Sequence, residues 1–153
     1  MPEGKGLTDS IVINTDKDTI MSALLDFESY PEWMSNVVKI EVLKSDKKKR
    51  GTQLKYTVDI MVKSIEYVLA YSYKDDRIDI TYIEGELDDC NSYYEFSELS
   101  DDRTEVTYHY DVAYSLPKAL MNPLTRRMLK TVDKRVMNSA LKDLKKRAES
   151  LAT

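Results

Sequence analysis

The sequence predicts an α+β domain: a seven-stranded, curved antiparallel sheet wrapped around a long C-terminal helix, with two short helices between strands 1 and 2. Two observations predict it. First, nine of the eleven tyrosines fall in strand phase with Val, Ile and Leu. The run Leu54, Tyr56, Val58, Ile60 and Val62 alternates with mostly polar neighbours. It is echoed by Ile65, Tyr67, Leu69, Tyr71 and Tyr73, by Ile78, Ile80 and Tyr82, and by Val106, Tyr108, Tyr110, Val112 and Tyr114. Successive strand side chains point to opposite faces, so each run places its apolar residues on one side of a sheet. Second, Leu124, Met128, Val132, Val136, Ala140, Leu144 and Ala148 recur every four positions. Four residues rotate about 400° on a helix, so this stripe turns by about 40° at each step and suits a curled partner surface.

The elements follow in order. Residues 1–7 read as a flexible arm, and residues 8–153 as a single domain. Thr8 to Asn14 is the first strand. Thr15 resembles an N-cap, with Asp16 and Asp18 in the first turn, where negative charge suits the helix dipole. Ile20, Ala23, Leu24 and Phe27 give that helix its apolar stripe. Pro31, in Tyr30-Pro31-Glu32-Trp33, opens a second short helix, since no backbone donor is needed there. Six strands follow, about Asn36 to Lys44, Gly51 to Met61, Lys63 to Tyr73, Arg77 to Glu84, Asp88 to Leu99 and Arg103 to Tyr114. Short polar connections at Lys47 to Arg50, Lys74 to Asp76 and Ser100 to Asp102 make the series an antiparallel meander. A short turn near 117–121 precedes a helix over 123–150, whose start is marked by Asn122-Pro123.

Composition narrows the function classes. A chain of 153 residues with 42% hydrophobic and 33% charged content is long enough to bury a core and belongs among soluble globular proteins. The formal net charge of −4 argues against nucleic acid as a partner. The basic clusters Lys47-Lys48-Lys49-Arg50 and Lys142, Lys145, Lys146, Arg147 read as a hairpin tip and a helix C-terminus. Cys90 is alone, which excludes an intramolecular disulfide and suits a reducing, cytoplasmic location. No apolar stretch approaches a membrane span, so stable insertion is not expected, whereas transient membrane contact is compatible with the sequence. The oligomeric state is left open.

A face so rich in hydroxyls is unusual, because a solid core favours Leu, Ile and Val and a buried Tyr needs a partner for its OH. Two readings follow: a cavity lined by tyrosines, or an ordinary amphipathic sheet whose rings lean to the rim.

The element order and several local segments resemble the helix-grip fold of the START-like (SRPBCC) superfamily. The most similar branch is the bacterial polyketide cyclase/dehydrase and lipid-transport family, with its coenzyme Q-binding relatives. Phe27-Glu28-Ser29-Tyr30-Pro31-Glu32-Trp33 is similar to the family's Y-P-x-W segment, and Val37 to Leu43 to the strand that follows it. Gly85-Glu86-Leu87 resembles the turn before the sixth strand, Tyr94 and Phe96 its aromatic pair, and Thr104 to Tyr108 its T-x-V-x-Y strand. Asn91 stands where the family commonly has Gly, and Tyr94 where it commonly has Trp. The resemblance spans about Thr8 to Ser150. It implies an elongated cavity between sheet and helix, and so favours the first reading of the tyrosines.

The residues carry little conventional catalytic chemistry. His109 lies in the phase opposite the apolar face, one Cys and one His cannot supply a usual zinc set, and Asp88-Asp89 and Asp101-Asp102 read as solvated pairs. No nucleophile elbow, P-loop or dinucleotide fingerprint is present, and no cofactor or metal is expected. The expected cavity residues are Trp33, Tyr56, Val58, Tyr67, Tyr71, Tyr82, Tyr94, Tyr108, Tyr110, Met128, Val132 and Arg135, with Tyr73, Asn138 and Ser139 as further polar candidates and Met34 beside Trp33 at the mouth. Arg135 is the one catalytic candidate. Tyr56, Tyr67, Tyr71 and Tyr108 should enclose a few hundred Å³. Such a pocket suits a small hydrophobic ligand such as a lipid, an isoprenoid or quinone, or an aromatic polyketide. Alternatives are a cofactor-independent cyclase/aromatase, in which Tyr and Arg polarise a carbonyl, and an interaction module with a vestigial cavity.

Overall fold

The computed structural model describes residues 6–35, 37–60, 63–115, 117–120 and 122–152. Strand β1 (Leu7–Ile13) leads into helix α1 (Lys17–Leu25), a 3-10 turn (Phe27–Ser29) and the short helix α2 (Tyr30–Trp33). Strands β2 (Val37–Ser45), β3 (Gly51–Asp59), β4 (Ser64–Lys74), β5 (Arg77–Gly85), β6 (Leu87–Ser100) and β7 (Arg103–Tyr110) form the meander. Then come β8 (Val112–Tyr114), a second 3-10 turn (Lys118–Leu120) and helix α3 (Pro123–Leu151). The sheet order is β1-β7-β6-β5-β4-β3-β2, with antiparallel neighbours throughout and β8 paired to β6. This is the expected α+β helix-grip architecture.

Three boundaries differ for physical reasons. Helix α1 is capped by Asp16 rather than Thr15. Asp16 accepts hydrogen bonds from the hydroxyls of Thr19 (2.5 Å) and Thr15 (3.1 Å), while the Thr15 carbonyl accepts one from buried Thr104 on β7 at 3.0 Å. The arm expected over residues 1–7 ends sooner, because Leu7 already pairs with Tyr110; residues 1–5, Asn36 and Met61 lie outside the described residues. The last expected strand breaks at Asp111. There the Ser92 hydroxyl accepts from the Asp111 amide at 3.0 Å and donates to its carbonyl at 3.4 Å, so β8 pairs with the first half of β6 while β7 pairs with the second.

Asn122 caps α3, its side chain accepting from the Thr125 amide at 2.9 Å, and Pro123 occupies the first turn. Thr125, Leu129 and Val132 are buried in the first half, and Ala140, Leu141, Leu144 and Ala148 in the second. At 100° per residue these two sets differ in direction by roughly 100°, so the buried face does turn along the helix. The stripe does not include its expected beginning: Leu124 is 66% exposed and Met128 only half-buried. Polar ties hold the second half. Lys145 donates to the Val12 carbonyl at 2.8 Å, the Asn14 amide donates to Glu149 at 2.8 Å, and the amide and hydroxyl of Ser35 donate to Asp143 at 3.0 Å. The first half of α3 therefore spans the concave face without such clamps to β1 or α2, and a space remains beneath it.

Candidate functional site: a tyrosine-lined cavity

Between sheet and α3 lies a partly open cavity of about 70 Å³. Seven of the nine in-phase tyrosines line it, namely Tyr56, Tyr67, Tyr71, Tyr94, Tyr108, Tyr110 and Tyr114. Apolar neighbours include Val58, Ile60, Leu69 and Ile80 from the strands and Val136 and Ala140 from α3. The lining residues that reach solvent are Met34, Ser35, Val37, Tyr67, Val112 and Val136, and most of them lie where the α2–β2 link, β8 and α3 approach one another, which marks the mouth.

The cavity is smaller than the few hundred Å³ expected, because the rings occupy one another's space. Tyr94 and Tyr108 stack with centroids 4.2 Å apart, and Tyr56 and Tyr67 with centroids 5.6 Å apart. The hydroxyls of Tyr56 and Tyr71 bond each other, as do those of Tyr110 and Tyr114 at 2.7 Å. The space left is large enough to admit water. Among the described residues the Tyr67 hydroxyl makes no hydrogen bond to the protein, although its ring is half-buried within the lining.

Burial pushes the hydroxyls of Tyr56, Tyr67, Tyr71, Tyr94, Tyr108 and Tyr110 above the ordinary phenol range. They are neutral near pH 7 and act as hydrogen-bond donors and acceptors rather than bases. Cys90 also lines the cavity; burial pushes its thiol up to about 11, which leaves it protonated and a poor nucleophile. Asp133 on α3 accepts a hydrogen bond from Tyr114 at 3.2 Å, and burial pushes its carboxyl up to about 6.

Other expected residues lie elsewhere. Tyr73 and Tyr82 are in phase but off the lining, since their hydroxyls donate to the Gly51 (2.5 Å) and Gly85 (2.6 Å) carbonyls at the strand ends. Trp33 packs on Tyr30, centroids 5.0 Å apart, one layer behind the lining. Met128 and Arg135 point more than a quarter-turn from the Val136–Ala140 direction, and Arg135 and Asn138 are exposed. Val132 is buried and Ser139 half-buried, both off the lining. His109 faces away, bonded to the Thr8 hydroxyl at 2.7 Å and stacked on Tyr93. Among the residues that sequence reasoning missed are Cys90, Ser92, Tyr30, Tyr114 and Asp133. The first two share the phase of Tyr94 and Phe96 and were legible by alternation; Asp133 sits two turns before Ala140 on the same face, a heptad relation that a helical wheel reveals.

Among the described residues no helix is long and apolar enough to cross a membrane. No curated protein matches the sequence. Solved structures do share the fold. A START superfamily protein from Mycobacterium smegmatis is 24% identical, with TM-score 0.80 over 97% of this chain and 99% of its own. The Zhui aromatase/cyclase from Streptomyces sp. R1128 is 15% identical, with TM-score 0.81 over 97% and 96%. TTHA0849 from Thermus thermophilus is 17% identical, with TM-score 0.76 over 97% and 99%. The family model for polyketide cyclase/dehydrase and lipid transport matches residues 13–137, most of the chain and every strand that lines the cavity. The chain therefore belongs to the polyketide cyclase/dehydrase and lipid transport family.

Proposed function

We propose that this protein is a carrier or sensor that holds a small apolar ligand bearing a polar oxygen in the cavity between sheet and α3. The observation that supports it is the Tyr67 hydroxyl, which stands in an apolar, partly open cavity with no protein partner among the described residues. That hydroxyl faces space that water can enter, and a ligand oxygen of matching geometry would take the water's place. A lipid-like, isoprenoid or aromatic polyketide body would replace the water beside Val58, Leu69 and Ile80. Bodies larger than the resting space require Met34 and Val136 at the mouth to change rotamer. A cyclase reading is less favoured, because Arg135 lies off the lining and the phenols are held neutral. The buried, protonated Cys90 thiol suits action in a reducing cytoplasm.

Native mass spectrometry of freshly purified protein is expected to show an added mass that is lost on denaturation, and extraction should identify it. Tyr67→Phe is expected to weaken that ligand about five- to tenfold, with stability nearly unchanged. A protein that purifies empty and is stabilised by no lipid, quinone or polyketide in a thermal-shift panel would sink this reading.

A further inference from the structure

The break at Asp111 has a consequence for the cavity's chemistry. On a straight strand Tyr110 and Tyr114 would have α-carbons about 13 Å apart. Across the break their hydroxyls meet at 2.7 Å, and Tyr114 continues to Asp133 at 3.2 Å. Tyr110 and Tyr114 line the cavity while Asp133 lies outside the lining, half-buried on the far side of Tyr114.

Proton counting gives this chain two states. A carboxylate only accepts, so Tyr114 donates to it, Tyr110 donates to Tyr114, and Tyr110 shows the cavity a lone pair. With Asp133 protonated, three O–H groups serve two links, and the extra proton can emerge at Tyr110 as a donor aimed at a ligand. We propose that Tyr110, Tyr114 and Asp133 form a relay that couples protonation of Asp133 to the polarity of the cavity. A ligand carbonyl is then bound with uptake of one proton from solvent, and a ligand hydroxyl without it. The proposal rests on the cavity being a ligand site.

The surroundings of Asp133 favour titration near neutrality. Burial above all, and the negative charge of Asp111 at the β7–β8 junction, disfavour its ionised form, whereas the hydrogen bond from Tyr114 of β8 favours it. Tyr110 of β7 feels the same carboxylate. Among the described residues no lysine or arginine, including Lys130 and Lys134 on its own helix, forms an ion pair with Asp133.

Two measurements test the proposal. In ligand-free protein carrying 13Cζ-tyrosine, the Tyr110 resonance is expected to shift with the midpoint of the Asp133 carboxyl, and to stop doing so in Tyr114→Phe. His109, next in sequence, faces the other way, and any effect of its titration would persist in that variant. The second uses 2-acetylnaphthalene and 2-naphthol, which share an apolar body and differ in the oxygen. The ketone is expected to bind about tenfold more tightly near pH 5 than near pH 8, the naphthol to change less than about twofold, and both to be flat in Asp133→Asn. A Tyr110 resonance that ignores Asp133 overturns the relay. A ketone pH dependence that survives in Asp133→Asn overturns the coupling. Failure of both probes to bind, with the relay resonance intact, overturns the ligand-coupled half, whereas the proposed function falls only on the native mass spectra and the thermal-shift panel.

Discussion

Hydroxyl pairing decides the energetics of the tyrosine face at the residue scale. Tyr56 and Tyr71 satisfy each other in a buried setting, so removing one hydroxyl strands the other. Tyr56→Phe and Tyr71→Phe are each expected to cost about 1–2 kcal/mol, and the double variant less than the sum; urea midpoints of the four proteins close the cycle. Asp133 works in the opposite sense. Its folded-state pKa of about 6 exceeds the ordinary aspartate value, so the native state keeps a proton that the unfolded chain releases. Stability therefore falls as pH rises from about 4 to about 6 and stays lower above it. Allowing for solvent screening of a half-buried carboxyl, Asp133→Asn is expected to be about 1 kcal/mol more stable than the parent at pH 7 and equal to it near pH 4. Tyrosine phase was legible in the sequence because it depends only on strand alternation. The Tyr114–Asp133 contact was not, since it depends on a backbone break set by Ser92 from a neighbouring strand.

Most of the elements were legible because alternation, Pro31, Pro123 and the polar turns are local signals, and α1 shifted by only one residue. The cavity candidates on α3 were less so. A four-residue repeat extends back through Met128 and Leu124, whereas burial begins on the side marked by Thr125 and Leu129. Gly85 is an element-scale constraint on the site. Its φ of +122° lies in glycine territory, and an added Cβ would meet the Cα of cavity-lining Tyr67 at 2.4 Å. The β4–β5 register also shifts nearby, between Val68 and Leu69. Gly85→Ala is expected to destabilise by about 3 kcal/mol and to disturb the Tyr67 ring resonances before those of Tyr94, which NMR spectra of the variant would check.

For the whole molecule, the grip of sheet on helix was readable from the order of elements, but the size of the enclosed space was not. Volume is a small difference between a large envelope and rings that lean together, and ring directions are set only in three dimensions. Ala140 faces that space from α3. Ala140→Leu is expected to fill much of it, with stability altered by less than about 1 kcal/mol and ligand binding reduced at least about tenfold; thermal melting and native mass spectrometry of the variant give both readouts. The rim has an optical consequence as well. The chain's one tryptophan, Trp33, has its indole nitrogen buried without a partner among the described residues and leans edge-on against Tyr30, which lines the cavity. Light absorbed by the crowded phenols drains to that single indole, whose emission colour follows the polarity around it. Guest entry should therefore change the protein's own fluorescence, and filling or emptying can be followed in real time without a dye.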